Sequence, residues 1–364
     1  MIKIALTERS ARVIAFYLPQ FHPIPENDKW WGKGFTEWTN VTKAKPLFRG
    51  HHQPNIPADL GFYDLRVPET RIAQAKLAGE HGIEGFCYWH YWFSGKRLLE
   101  RPFQEVLISG EPDYPFCIGW ANQTWTGIWH GAPDRILMRQ EYPGKDDYRA
   151  HFESLLKAFT DPRYIKVDEK PLFIVYSPNE LPDAKLFTEY WQELAAKSDL
   201  KGLYFVGISH PDWRPEEYGF NALIPDTLPA VIPKLSPSNS GLIQKIFREK
   251  FKTKPKPRIY HYKELIDEYS KVLNNSNSHH YPCVIPNWDN TPRSHNYGVV
   301  FLGSTPELFR IHLNQAIKHV SLNEPDNRLV FIKSWNEWAE GNYLEPDQIY
   351  GKSYLKSCKE EILF

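Results

Sequence analysis

Val13-Ile14-Ala15-Phe16-Tyr17-Leu18 is an apolar run that passes directly into Pro19-Gln20-Phe21-His22-Pro23 and a long loop of aromatics and prolines. A short β-branched and aromatic run bounded by proline reads as a buried strand. The residues just beyond this strand decide between two folds. A doubly wound dinucleotide-binding sheet places a glycine-rich G-x-G-x-x-G turn here, leading into a helix. No such turn is present. The strand opens instead onto an aromatic loop, as expected where a barrel strand meets its active-site face.

Seven further runs of the same kind extend along the chain, at 85–89, 116–120, 172–176, 203–208, 222–224, 283–286 and 329–333. Between them, residues 69–80, 147–159, 184–197, 260–273 and 306–319 carry apolar side chains at helical spacing. Buried strands alternating with helices make a parallel sheet, and eight strands predict its closure into a (β/α)8 TIM barrel. The polar stretch 274–280 and the basic run 250–258 read as surface excursions. At 364 residues and 41% hydrophobic, the expectation is a single catalytic barrel domain over 1–364, with long loops at the C-terminal face.

Formal net charge is zero and no basic stripe is present, which argues against nucleic acid as a partner. No stretch is apolar and long enough for membrane insertion. Residues 1–10 lack the apolar run of a secretory signal, so the cytoplasm is the expected location. Cys87, Cys117, Cys283 and Cys358 are widely spaced, and a buried free thiol behaves as a small hydrophobe. His22, His90 and His210 lack the close spacing of a zinc site. No GxSxG or P-loop pattern occurs, and neither metal nor cofactor is expected.

The informative deviation is aromatic: 13 Trp and 20 Tyr against 2 Met. Indole and phenol rings stack on the apolar faces of sugars and offer an N–H or O–H at the edge. Their positions decide whether they serve the core or a site. After the first strand come Tyr17, Gln20, His22, Trp30, Trp31, Glu37 and Trp38, and the second ends in Tyr88-Trp89-His90-Tyr91-Trp92. Trp120, Asn122, Gln123, Trp125 and Trp129 follow the third. Tyr176, His210 and Asp226 end the next three, and Asn287-Trp288-Asp289-Asn290 follows the seventh. The helical segments hold almost no Trp, Trp191 excepted. The expected sugar-binding set is therefore Tyr17, His22, Glu37, Trp38, Tyr88, His90, Trp92, Trp120, Asn122, Trp125, Tyr176, Trp288, Asp289, Trp335, Asn336 and Glu345, with an oligosaccharide or polysaccharide as partner.

The eighth strand finishes in Ser334-Trp335-Asn336-Glu337-Trp338-Ala339-Glu340-Gly341. Glycosidic hydrolysis needs two carboxyl groups with split duties, one protonating the leaving oxygen and the other acting as base or nucleophile. Spacing by three in a turn puts Glu337 and Glu340 on one side of the backbone. Sharing a partly buried aromatic site would separate their pKa values. The competing reading is a capped loop whose glutamates pair with surface lysine or arginine.

At these residues the chain resembles the glycosyltransferase WbsX family, related to glycoside hydrolase family 99, the endo-acting α-mannosidases and mannanases. The segments that carry the resemblance are Ala15-Phe16-Tyr17-Leu18-Pro19-Gln20-Phe21-His22, Gly34-Phe35-Thr36-Glu37-Trp38, Gly85-Phe86-Cys87-Tyr88-Trp89-His90-Tyr91-Trp92, Trp120-Ala121-Asn122 and Trp335-Asn336-Glu337-Trp338-Ala339-Glu340-Gly341, spread over about 12–346. The resemblance implies a retaining enzyme without metal or cofactor. It makes Glu340 the general acid and base, and Glu337 the base on a sugar 2-hydroxyl that attacks the anomeric carbon to form a 1,2-anhydro sugar. That route requires a 2-hydroxyl trans to the leaving group, as in an α-mannoside. The family's name implies an alternative, a glycosyltransferase in O-antigen or cell-surface polysaccharide biosynthesis. Against it, the chain shows neither a DxD triplet nor a basic run for a diphosphate.

Overall fold

Arg12–Tyr17 forms the first strand, β1, with six buried side chains, in a computed structural model that describes residues 9–127, 132–238, 255–276 and 279–363. Seven more parallel strands complete the set: β2 (Gly85–Phe93), β3 (Phe116–Trp120), β4 (Lys170–Val175), β5 (Tyr204–Ser209), β6 (Ala222–Pro225), β7 (Cys283–Val284) and β8 (Leu329–Ile332). Their order in the sheet is β6-β5-β4-β3-β2-β1-β8-β7. The remaining seam, between β6 and β7, is bridged by Leu223 N–H to His279 O and Tyr281 N–H to Leu223 O, both 2.8 Å. The sheet is thus a nearly closed eight-stranded barrel, as the alternation predicts.

Helices cover the outside: α1 (Pro68–Glu80), α2 (Arg101–Ser109), α3 (Lys145–Phe159), α4 (Ala184–Lys197), α5 (Tyr262–Asn274), α6 (Pro306–Val320) and α7 (Ser353–Ile362). Start signals are local. Asp183 accepts the Leu186 N–H at 2.8 Å to cap α4, and Thr305 caps α6 ahead of Pro306. Between β5 and β6 only a 3-10 turn, Pro215–Tyr218, returns the chain. Several details differ from the sequence pattern, among them short helices at Pro25–Trp31 and Glu37–Lys43 in the long loop after β1. Residues 258–261 of the expected basic excursion and helix are a strand, Arg258–His261, paired with Val299–Leu302. Helices α2 and α7 are hidden in the sequence because their apolar stripes are short. Trp129, residues 250–254 and residues 277–278 lie outside the described residues. No helix among those described is long and apolar enough to cross a membrane.

The two ends of the barrel differ in chemistry. At the amino end, Arg12 forks onto Glu84 (3.0 and 2.7 Å) and reaches Asp326 and the Lys166 carbonyl, stapling the entries of four strands. The four cysteines are free and buried. At the carboxyl end the strands run into the loops that build the site.

Strand alternation sorts β2 into two faces. Trp89 points into the barrel and stacks on Phe16 at 4.6 Å. Gly119 on β3 makes room for it, since a Cβ there would lie 3.0 Å from the Trp89 ring. Tyr88, His90 and Trp92 face outward. Tyr88 packs on Phe103 of α2 at 5.2 Å, and the other two sit 5.0 and 4.7 Å from His151 of α3.

Candidate active site

The loop after β8 is pinned by hydrogen bonds within itself and to neighbouring segments. Ser334 Oγ accepts the N–H groups of Asn336 (3.1 Å) and Glu337 (2.9 Å). Asn336 pairs with the Leu18 backbone through both ends of its amide, tying this loop to the one after β1. Asn336–Glu337 and Asn342–Tyr343 form a short antiparallel pair around the turn Trp338–Glu340. Glu345, 2% exposed, accepts hydrogen bonds from Gln74, Tyr63 and the indoles of Trp335 and Trp338 at 2.6–2.8 Å. Burial pushes its carboxyl up to about 7 against the pull of those four donors.

Gly341 closes the turn at φ +58°, and a Cβ there would lie 2.9 Å from the Asp289 nitrogen, which donates to Glu340 O at 2.7 Å. Gly341→Ala is expected to cost about 1–2 kcal/mol for the left-handed backbone alone, with further loss from displacing Asp289. A lower melting temperature together with reduced turnover is the expected result; wild-type values for both would contradict this role.

One guanidinium organises the acids. Arg293 comes from a short helix, Thr291–Ser294, after β7, and is 4% exposed. Its Nη1 lies 2.6 Å from Glu340, and its Nη2 lies 2.5 Å from Glu37 and 3.5 Å from Glu337. Glu37 is fully buried and also accepts the Ala339 N–H at 3.3 Å. Burial, then Glu340, push the Glu337 carboxyl up to about 8, with Arg293 opposing. Burial raises Glu37 as well, again against Arg293. Arg293 thus lies closer to Glu340 than to Glu337.

Asp289 supports this frame from below. It accepts from His51 Nε2 and Gln53 Nε2, both 2.7 Å, and from Thr291 Oγ1 at 2.6 Å. The Leu47 N–H donates to His51 Nδ1 at 3.0 Å, which places the ring proton on Nε2, facing Asp289.

Glu337 and Glu340 open into a cleft of about 320 Å³ at the barrel mouth. Its walls include Gln20, Trp31, Trp89, Tyr91, Trp125, Tyr176, Trp288 and Lys333. The size is at the lower end of small-ligand clefts. Of the expected sugar-binding residues, Trp125, Tyr176 and Trp288 line it. Tyr17, His22, Trp38, Tyr88, His90, Trp92, Trp120 and Trp335 do not reach it, and all are buried. Asn122 bonds to Tyr142 and Ser177, Asn336 to Leu18, while Glu37, Asp289 and Glu345 lie behind the acids.

For the strand residues among them the reason is parity. On β1, Tyr17 donates to Gln74 of α1 at 2.7 Å, so its neighbour Phe16 is the inward residue. On β2 the inward residues are Trp89 and Tyr91, the complement of the expected set. Both are visible in the sequence, and fixing one inward residue per strand would have selected them. Arg293, His51, Gln53 and Lys333 carry no such signal.

The sequence profile of the family described as glycosyltransferase WbsX matches residues 13–358. Relatives from two strains of Xanthomonas campestris pv. campestris, each named uncharacterized protein WxcX, are 38% identical over 97% and 99% of this chain. The chain spans about half the length of these relatives, 50% and 51%. Among solved structures, a glycoside hydrolase-like protein aligns with a TM-score of 0.58 at 16% identity, over 100% of this chain and 97% of that one. A GH99 endo-α-mannosidase from Bacteroides thetaiotaomicron, in complex with Bis-Tris-propane, aligns at 0.58 and 13% identity, over 96% of this chain and 95% of its own. Likeness at these identities carries the barrel fold.

Proposed function

The chain belongs to the glycosyltransferase WbsX family, and from that premise we propose that it is a retaining, glycoside hydrolase-like enzyme cleaving α-mannoside-type or related bonds, with one catalytic barrel over residues 1–364. The observation that carries the reading is a single buried guanidinium shared by three carboxylates, two of which face a tryptophan-lined cleft.

The roles follow the similarity to glycoside hydrolase family 99. Glu340 gives a proton to the leaving oxygen while Glu337 takes the proton of the sugar 2-hydroxyl. That oxygen attacks the anomeric carbon as the glycosidic C–O bond breaks, giving a 1,2-anhydro sugar and a free alcohol. Water then attacks the anomeric carbon, losing a proton to Glu340, and Glu337 returns its proton to O2. Two inversions leave net retention.

Arg293 lies closer to Glu340 than to Glu337, and burial raises the Glu337 carboxyl to about 8. This reading requires the proton to be on Glu340 when the leaving oxygen departs. A second reading, favoured by the closer Arg293–Glu340 contact, makes Glu337 the donor and Glu340 the base. Both use the singly protonated pair, so they share one expectation. kcat/KM should fall as pH rises through about 8, where Glu337 loses its proton. A pH–rate profile level across that value would contradict either version.

The family's descriptive name supports transfer, in which a sugar hydroxyl replaces water in the second step, or a nucleotide sugar is the donor in O-antigen or cell-surface polysaccharide assembly. Incubating purified protein with mannans and bacterial surface polysaccharides separates these. Release of reducing ends without added nucleotide sugar is expected; consumption of a nucleotide sugar with no cleavage would overturn the hydrolase reading.

A further inference from the structure

Tyr176, Asp226 and Lys333, immediately after β4, β6 and β8, form a polar cluster that the reaction above does not use. Lys333 Nζ lies 3.6 Å from Asp226 Oδ1, with side-chain exposures of 13% and 21%, and 5.7 Å from the centre of the Tyr176 ring. An N–O separation of 3.6 Å is too long for a hydrogen bond. No side-chain hydrogen bond ties any of the three to another described residue. Lys333 and Asp226 pair by charge, and their remaining hydrogen-bonding positions stay open to a ligand. Tyr176 and Lys333 also line the cleft that holds Glu337 and Glu340, where sugar hydroxyls can hydrogen-bond to them. Trp89 stands beside them, 5.5 Å from Tyr176 and edge-on to it.

A flat indole next to one donor and one acceptor of opposite charge matches a sugar ring: its apolar face covers the indole, and neighbouring hydroxyls take the polar groups. Asp226 already balances Lys333, and Arg293 is taken up by Glu37, Glu337 and Glu340, so the cleft offers an anionic sugar no free positive charge. We propose that Tyr176, Asp226 and Lys333 form a subsite for a neutral pyranose with two adjacent free hydroxyls, one accepting from Lys333 and the other donating to Asp226. This rests on the cleft being a carbohydrate site.

The test is binding rather than turnover. The Trp89 indole signal, assigned with Trp89→Phe, is followed by NMR in the full chain during titration with methyl α-mannopyranoside, methyl α-glucopyranoside and the corresponding methyl uronosides. Lys333→Met and Asp226→Asn are each expected to weaken the neutral glycosides about tenfold, the worth of one charged hydrogen bond. The uronosides should bind more weakly than their neutral parents. Lys333→Arg, which keeps a donor, should recover part of the loss, and melting temperatures check that each variant folds. Unchanged binding in both variants, or tighter binding of the uronosides, would overturn the subsite. Glycan cleavage with unchanged binding in both variants defeats the subsite alone; neither binding nor cleavage of any glycoside defeats the carbohydrate reading with it.

Discussion

Glu340→Gln is expected to lower kcat by about 10²–10⁴-fold, the usual worth of a positioned general acid, while glycan binding persists. The amide keeps the shape of the carboxyl and can still face Arg293 Nη1, now 2.6 Å from the acid, through its oxygen. What it lacks is a proton to give the leaving oxygen. Substrates with a good leaving group need less protonation, so an aryl glycoside should be hurt less in the first step than a glycan. Glu337→Gln should show an equal loss on both substrates, because activating the 2-hydroxyl is required whatever departs. Azide should not rescue Glu337→Gln; rescue would point to a direct nucleophile. Unchanged turnover in Glu340→Gln would remove it from the mechanism.

Arg293→Met should damage both fold and reaction. Removing one partner of a buried ion pair leaves an uncompensated charge and costs about 3–5 kcal/mol. Here the orphan is Glu37, which has no exposed surface and whose closest cation is Arg293. A clear drop in melting temperature is the expected result. Adding Glu37→Gln removes the orphan and should restore part of the stability without restoring turnover, since Glu337 and Glu340 would still face each other without their shared cation. Equal stability of Arg293→Met and wild type would show that the cluster does not depend on the guanidinium.

The contrast between Arg293 and the two glutamates shows what a sequence can reveal here. Glu337 and Glu340 lie three apart in a tryptophan-rich segment after the last strand, and that pattern is local. The barrel is legible for the same reason, because each strand and most helices carry their own periodicity. Arg293 sits in Asn290-Thr291-Pro292-Arg293, which reads as an ordinary turn. Only the closed barrel brings it under acids from the β1 and β8 loops. His51, distant in sequence from the seventh strand, reaches Asp289 across the same gap. The misplaced sugar contacts have another cause. In Tyr88-Trp89-His90-Tyr91-Trp92 every residue is aromatic or imidazole, so composition cannot tell the inward pair from the outward three. Phe16 stacked on Trp89 decides it, and that contact spans two strands.

The most direct test of the catalytic reading is the configuration of the first sugar released. Wild-type protein is incubated with α-mannan or an α-mannooligosaccharide, and the anomeric proton signals are followed by NMR before mutarotation. The α anomer appearing first, and disappearing in Glu340→Gln, is the expected outcome for two inversions through a 1,2-anhydro sugar. The β anomer appearing first would mean a single displacement by water, and would contradict the paired roles of Glu337 and Glu340.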